Sequence, residues 1–429
     1  MPAMCLASRK NTICKALIYG FFTLFLFLQH LWLPMCGDDA YLLPLVGVRS
    51  IPEHFAELYR YNGKIFTDFT AFLFYHLPYV VWKIFNTGVF LAVAILLAQL
   101  FTQNTVADAL VVCALVAIFP LGYLGTAGYI ATCANYLYPL CGLLFIAWQL
   151  KRLLYQKEHW VWQFFSLPVM AYVLNQDQAA CILVGGLLLA LIACFLQHRS
   201  KQATAWIAGY FLVALAGYIV LFCLPGHINR MTDTLEMELY LPEYANWSLW
   251  KKLYHGYTST VANVFLHHNT ITILVYFLVF LLCLARGTLL GRILSPLPLA
   301  GFLCLKLLNQ NTLLRFITDM PELSPTTTPA GLAGFAFCGF CLICLVISLW
   351  DCVRQEHRYL LLGLLILGGG SRLLMGMSPT LYASSYRTFT YLLFSLIACC
   401  LVLLQKMKVN SSKNTYSAAV AGILLALLL

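Results

Sequence analysis

The sequence predicts an all-α polytopic transmembrane helical bundle of about 11–13 spans, with no large soluble domain. Three observations carry this. First, 62% of the 429 residues are hydrophobic and 10% are charged, against roughly 25% charge in soluble globular chains. So little charge cannot give a chain of this length a polar surface in water. Second, apolar runs long enough for a helical crossing recur along the whole sequence, and a crossing needs about 20 residues. Third, the runs are continuous and Leu-rich, as in Leu183 to Leu196 and Leu360 to Leu367. A β-barrel would instead alternate over ~10-residue segments.

The spans fall near 16–33, 79–101, 106–122, 137–150, 160–174, 179–196, 204–224, 270–285, 293–308, 329–350, 359–371, 387–404 and 415–429. The segments 160–174 and 359–371 are short for a full crossing. The whole of 1–429 reads as a single integral membrane domain. The first span follows Arg9, Lys10 and Lys15, as a signal peptide would, but no A-x-A site comes after it, so it reads as an uncleaved anchor. The chain has 17 cysteines. Most lie inside apolar runs, where they act as small hydrophobes rather than as a disulfide framework.

Charge orients the bundle. Arg9, Lys10, Lys15, Lys151, Arg152, Lys157, Arg199, Lys201, Arg286, Arg292, Arg354, Arg358, Lys406, Lys408 and Lys413 all fall in short loops on the N-terminal side. The positive-inside rule puts those loops, and the N-terminus, in the cytoplasm of a multi-pass cytoplasmic-membrane protein. Basic residues scattered this way fit membrane orientation and not a nucleic-acid patch, so no nucleic-acid partner is expected. Most acids, including Asp38, Asp39, Asp68, Asp177 and Glu243, fall on the other side. Two long outer loops, 36–78 and 225–269, are rich in aromatic and polar residues. They are the expected active-site loops, because function concentrates in such segments.

Six constellations mark that face. Gly37-Asp38-Asp39 sets two carboxylates side by side; such a pair needs a proton, a hydrogen-bond network or a cation. It can act as a general base or hold a divalent ion, Mg or Mn, although Gly-Asp also makes a plain turn. Asn62-Gly63-Lys64 is a turn signal beside Asp68 and the aromatics Tyr59, Tyr61 and Phe66, which would suit a sugar face or an interfacial belt. Gly125 to Pro139 brings Asn135 and Tyr136 to a span entry. Asn175 to Gln178 places Asp177 at the hydrocarbon edge, where a charge is costly unless paired or used. Pro225-Gly226-His227 with Arg230, and Ser378-Pro379 with Arg387, offer cations suited to phosphate. An arginine snorkelling to the interface has the same sequence signature, and Arg315 and Arg372 share it.

Taken in order, these motifs resemble those of a family of bacterial membrane proteins related to the GT-C glycosyltransferases, over residues 16 to 405. Lys64 stands where that pattern has Arg, His227 where it has Asn, and Asp177 where it has Glu. The resemblance implies a GT-C-like fold and an inverting transfer of sugar. The donor would be a polyprenyl-phosphate-linked sugar and the acceptor an outer-face glycan, lipid or protein. Asp38 or Asp39 would be the acidic catalytic residue. Asn62, Lys64, Asn135, Tyr136, Asp177, His227, Arg230 and Arg387 would bind substrate. No Gly-rich nucleotide loop appears, which agrees with a lipid-borne donor. The rival readings are a transporter or flippase of a lipid-linked sugar and a non-catalytic component of a glycan-assembly complex. A transporter should carry ionisable residues at mid-span, and Lys306, near a span end, is the main exception to spans that are nearly uncharged.

Overall fold

The computed structural model describes residues 2–48, 50–153, 160–197, 200–232, 234–267, 270–307, 329–410 and 413–428. Helices dominate them, and no strand occurs among the described residues. Eight helices are long and apolar enough to cross a membrane: Lys10–Leu31, Tyr79–Phe101, Tyr129–Lys151, Asp177–Leu196, Lys201–Phe222, Gly334–Cys352, His357–Met377 and Ser385–Lys408. Leu249–Phe265 and Thr270–Arg286 meet at 76° and would together make a ninth. The protein is therefore an all-α, multi-pass membrane protein.

The count is lower than the hydrophobic runs suggest. Val106–Ala117, Gln163–Leu174, Leu289–Cys304 and Thr415–Leu427 are apolar but short. Twelve residues at 1.5 Å each give about 18 Å, well under the ~30 Å hydrocarbon core. The 359–371 run behaves in the opposite way, as part of a full-length helix. Both long connections are also mostly helical. Residues 38–75 hold the helices Asp38–Leu42, Ile51–Glu57 and Ile65–Tyr75, and 225–261 hold Pro225–Thr232, Thr234–Tyr240 and Leu249–Val261.

The chain divides into two compact units. The first comprises Met1–Cys113, Leu121–Glu243 and Ala383–Tyr391. Its helices are tied end to end by lysines. Lys15 Nζ donates to Asn104 O (3.1 Å), and Lys151 Nζ donates to Gln99 O (2.7 Å) and Leu100 O (3.0 Å). At the opposite end of the Tyr79–Phe101 helix, Lys83 Nζ donates to Leu31 O (2.8 Å). Each ammonium caps the unsatisfied carbonyls of a helix C-terminus. Beside Lys83, His30 is fully buried and accepts from Asn86 Nδ2 at Nε2 (2.7 Å), while its Nδ1 faces Leu26 O (2.7 Å). That pattern requires a neutral ring protonated at Nδ1.

The second unit comprises Ala114–Pro120, Tyr244–Tyr382 and Leu392–Leu429. The Thr270–Arg286 helix packs on Pro329–Cys352. Cys338, Cys341 and Cys344 recur every three residues on the latter helix and are buried. They fill the space of small apolar side chains, and every described cysteine is a free thiol. Arg372 is buried and donates from Nη2 to Ser259 Oγ (3.1 Å). Arg315 and the side chain of Lys306 lie outside the described residues.

Candidate active site

The candidate site belongs to the first unit and is built around the start of the Tyr129–Lys151 helix. That helix begins after Gly128, whose φ is +102°, so its first amides have no preceding carbonyl partner within the chain. Asp39 supplies one from 90 residues upstream. Its Oδ2 accepts from Ile130 N (2.8 Å), and its Oδ1 accepts from Ala131 N (3.0 Å) and from Tyr75 OH (2.8 Å). Asp38 N–H donates to Ala127 O (3.0 Å) and fastens the same two segments a second time. The fit leaves no room at Gly128. A Cβ there would sit 2.7 Å from Asp39 Oδ1.

The two adjacent aspartates thus have different surroundings. Asp39 is fully buried with both oxygens engaged. Asp38 is exposed. Its carboxylate shares a cleft with Arg387 and Lys64, which favour its charge, and with Asp68, which opposes it. Protein crowds around that open carboxylate closely enough for burial to dominate, and Asp38 holds its proton above the usual carboxylate range. Burial also raises Asp39, against the pull of its three donors.

A divalent cation, Mg or Mn, bridging Asp38 and Asp39 does not fit this arrangement, because the lone pairs Asp39 would offer are turned inward to donors. Among the described residues, no group of three or more His, Cys, Asp or Glu is placed to hold a metal ion.

Asparagines form the floor of the cleft. Asn62 Nδ2 donates to Asp68 Oδ2 through a short bond, and Asn135 Nδ2 donates to Asp68 Oδ1 (2.6 Å). Asn135 is itself fixed, because its Oδ1 accepts from Thr67 Oγ1 (3.0 Å) and its amide reaches Ala131 O (3.0 Å). Asn175 Oδ1 accepts from Phe66 N (2.7 Å) and Thr67 N (3.1 Å), capping the Ile65–Tyr75 helix, while its Nδ2 donates to Gly63 O (3.0 Å). Tyr391 OH donates to Gln176 Oε1 (3.1 Å), and the Tyr391 ring lies 6.1 Å from that of buried Tyr136.

One wall is a backbone contact. Gly63 has φ +76°, a left-handed value that ends the preceding helical turn. A Cβ on Gly63 would meet His227 N at 2.7 Å, and one on Gly226 would overlap Gly63 N. Asn229 Nδ2 donates to Arg60 O (2.7 Å) across the same seam. This brings His227 Nδ1 to 3.9 Å from Asp177 Oδ1 at the exposed start of the Asp177–Leu196 helix. Asn62, Lys64 and Asp177 thus converge with Asp38, His227, Asn135 and Arg387 in one unit. Tyr136 packs beneath them, and the Arg230 side chain lies outside the described residues.

Sequence reasoning passed over Asp68, Thr67, Tyr75 and Tyr391 as functional positions. Asp68 stood beside the Asn62-Gly63-Lys64 motif, but its amide partner Asn135 is 67 residues away. No family model matches this chain, and no curated protein or solved structure matches it either.

Proposed function

We propose that the protein is a membrane glycosyltransferase of GT-C type. It would move a sugar from a polyprenyl-phosphate donor to a glycan, lipid or protein acceptor on the outer face of the cytoplasmic membrane. One observation carries the reading: an exposed carboxylate, Asp38, stands in one cleft with the cations Arg387 and Lys64, next to the ends of apolar helices. Proton removal from a hydroxyl and stabilisation of a departing phosphate call for those two kinds of group at once.

In this mechanism Asp38 takes the proton of the acceptor hydroxyl. The freed oxygen attacks the anomeric carbon, and the carbon–oxygen bond to phosphate breaks on the opposite face, inverting the centre. The bonding pair leaves with the phosphate, whose charge Arg387 and Lys64 meet. His227 and Asp177 flank the same cleft, and Asn62 and Asn135 order its floor. General-base help of this kind contributes about 10²–10⁴-fold. Asp39, with its oxygens committed, serves to hold Asp38 in place.

The test compares surface-glycan mass profiles of native cells, a null strain, and the null carrying Asp38→Asn or Asp39→Asn at normal levels. The null should lose a sugar, and Asp38→Asn should fail to restore it while its protein accumulates normally. Full restoration by Asp38→Asn would sink the enzyme reading in favour of a flippase or scaffold.

A further inference from the structure

We propose that Asp68 is a positioning residue of this cleft: clamped by Asn62 and Asn135, it places a fixed negative charge opposite Asp38 and so makes Asp38 a proton acceptor. The inference rests on the reading of Asp38 as the base.

The geometry sets the two acids on one support. Asp38 is pinned through its own amide to Ala127 O and through Asp39 to the N–H groups of Ile130 and Ala131. Asp68 is pinned through Asn135, whose amide also bonds Ala131 O. A single helical turn, 127–135, therefore fixes the spacing of two side chains that are 30 positions apart in sequence.

Asp68 is half-buried, and each of its oxygens receives an amide donor. Donors of that kind stabilise a carboxylate as an anion. The groups facing Asp38 are then Arg387 and Lys64 on the cationic side and Asp68 on the anionic side, with Asp39 turned away beneath it. Arg387 and Lys64 alone would make Asp38 a poor base, because neighbouring cations favour its deprotonated form. Asp68 offsets them and raises Asp38's hold on a proton.

The experiment reads the protonation of Asp38 directly and needs no turnover. Purified full-length protein in detergent is treated with N,N′-dicyclohexylcarbodiimide, which reacts with protonated carboxyls. Labelling of the Asp38 peptide is followed by mass spectrometry across a pH series. In Asp68→Asn the labelling midpoint should move to lower pH, so that labelling at the wild-type midpoint falls well below one half. Asp68→Glu should keep the wild-type midpoint, because it keeps the charge, and Arg387→Gln should move it the other way.

Asn at 68 sets one amide against another, so Asp68→Ser, which retains a small acceptor, serves as a second neutral variant and should give the same downward shift. An unmoved midpoint in a folded neutral variant overturns the proposal. So does an equal shift in Asp68→Glu, which would mark a change of shape and not of charge. Because the label reports on Asp38 whether or not sugar is transferred, glycan loss in Asp38→Asn with an unmoved midpoint would retain the transferase and reject the role of Asp68. A moved midpoint with an intact glycan would do the reverse.

Discussion

At the scale of single residues, the neighbours Asp38 and Asp39 do opposite jobs. Asp39 satisfies two buried helix amides and a tyrosine hydroxyl. Asp39→Ala should therefore cost about 2–3 kcal/mol, since each orphaned buried donor costs ~1–3 kcal/mol and the losses overlap. Thermal unfolding of the detergent-solubilised protein measures this, and Asp38→Asn should stay within about 0.5 kcal/mol of wild type, as exposed substitutions do. Acid should help, not hurt, through this residue. Asp39 binds its proton more tightly folded than unfolded, so the folded state carries the extra proton between the ordinary carboxylate range and the raised value. Its contribution to stability is present below that window and is lost as pH rises through it. Asp39→Asn should remove that part of the pH slope. Nothing in the sequence distinguishes the two aspartates, because the difference lies in contacts made to residues 127–131.

At the scale of elements, the connection 36–78 was legible as chemically loaded but not as helical. Gly37, Pro52 and Asn62-Gly63 read as turn residues. Instead, Ser50 and Glu53 form a capping box that starts the Ile51–Glu57 helix, and Gly63 ends the turn that follows. The next helix has no cap of its own and borrows Asn175 from a distant segment. Asn175→Ala should thus strip the start of Ile65–Tyr75 and the Gly63 carbonyl together, at about 2 kcal/mol. It should also free Asp68 from its place, lowering glycan transfer as well as the melting temperature. Gly63→Ala should cost at least about 1 kcal/mol in backbone strain alone, with more from the His227 contact. Protease digestion at the 225–229 seam, faster than in wild type, would report the opening of that wall.

At the scale of the whole molecule, hydrophobic run length identified the class but overcounted crossings. Composition sees the apolar content of a segment, whereas a crossing also needs an unbroken helix. Pro120 cuts one such run short: the Val106–Ala117 helix stops before it. The lysine caps give the bundle a polarity that agrees with the charge rule, because Lys15 and Lys151 gather at one end and Lys83 at the other. Alkaline phosphatase folds only where disulfides form, so fusions to it test the sides. Fusions after Ser50 and Asn246 should be active, and fusions after Ser200 and Gln355 inactive. The reverse pattern would put the cleft in the cytoplasm and remove its access to an outer-face acceptor.

The bond from Ile130 to Asp39 spans 91 positions, and that distance has a consequence during synthesis. When the first helix enters the bilayer, the amides that Asp39 will accept from have not yet been translated. The carboxylate must wait in water until two further hydrophobic segments have left the ribosome, and only then can the first segment lock into register. Birth of the cleft is therefore a late event in membrane insertion. Nascent chains halted before Gly128 should keep their leading helix loosely held, readily extracted and quickly degraded, whereas chains halted beyond Lys151 should already carry the finished aspartate anchor.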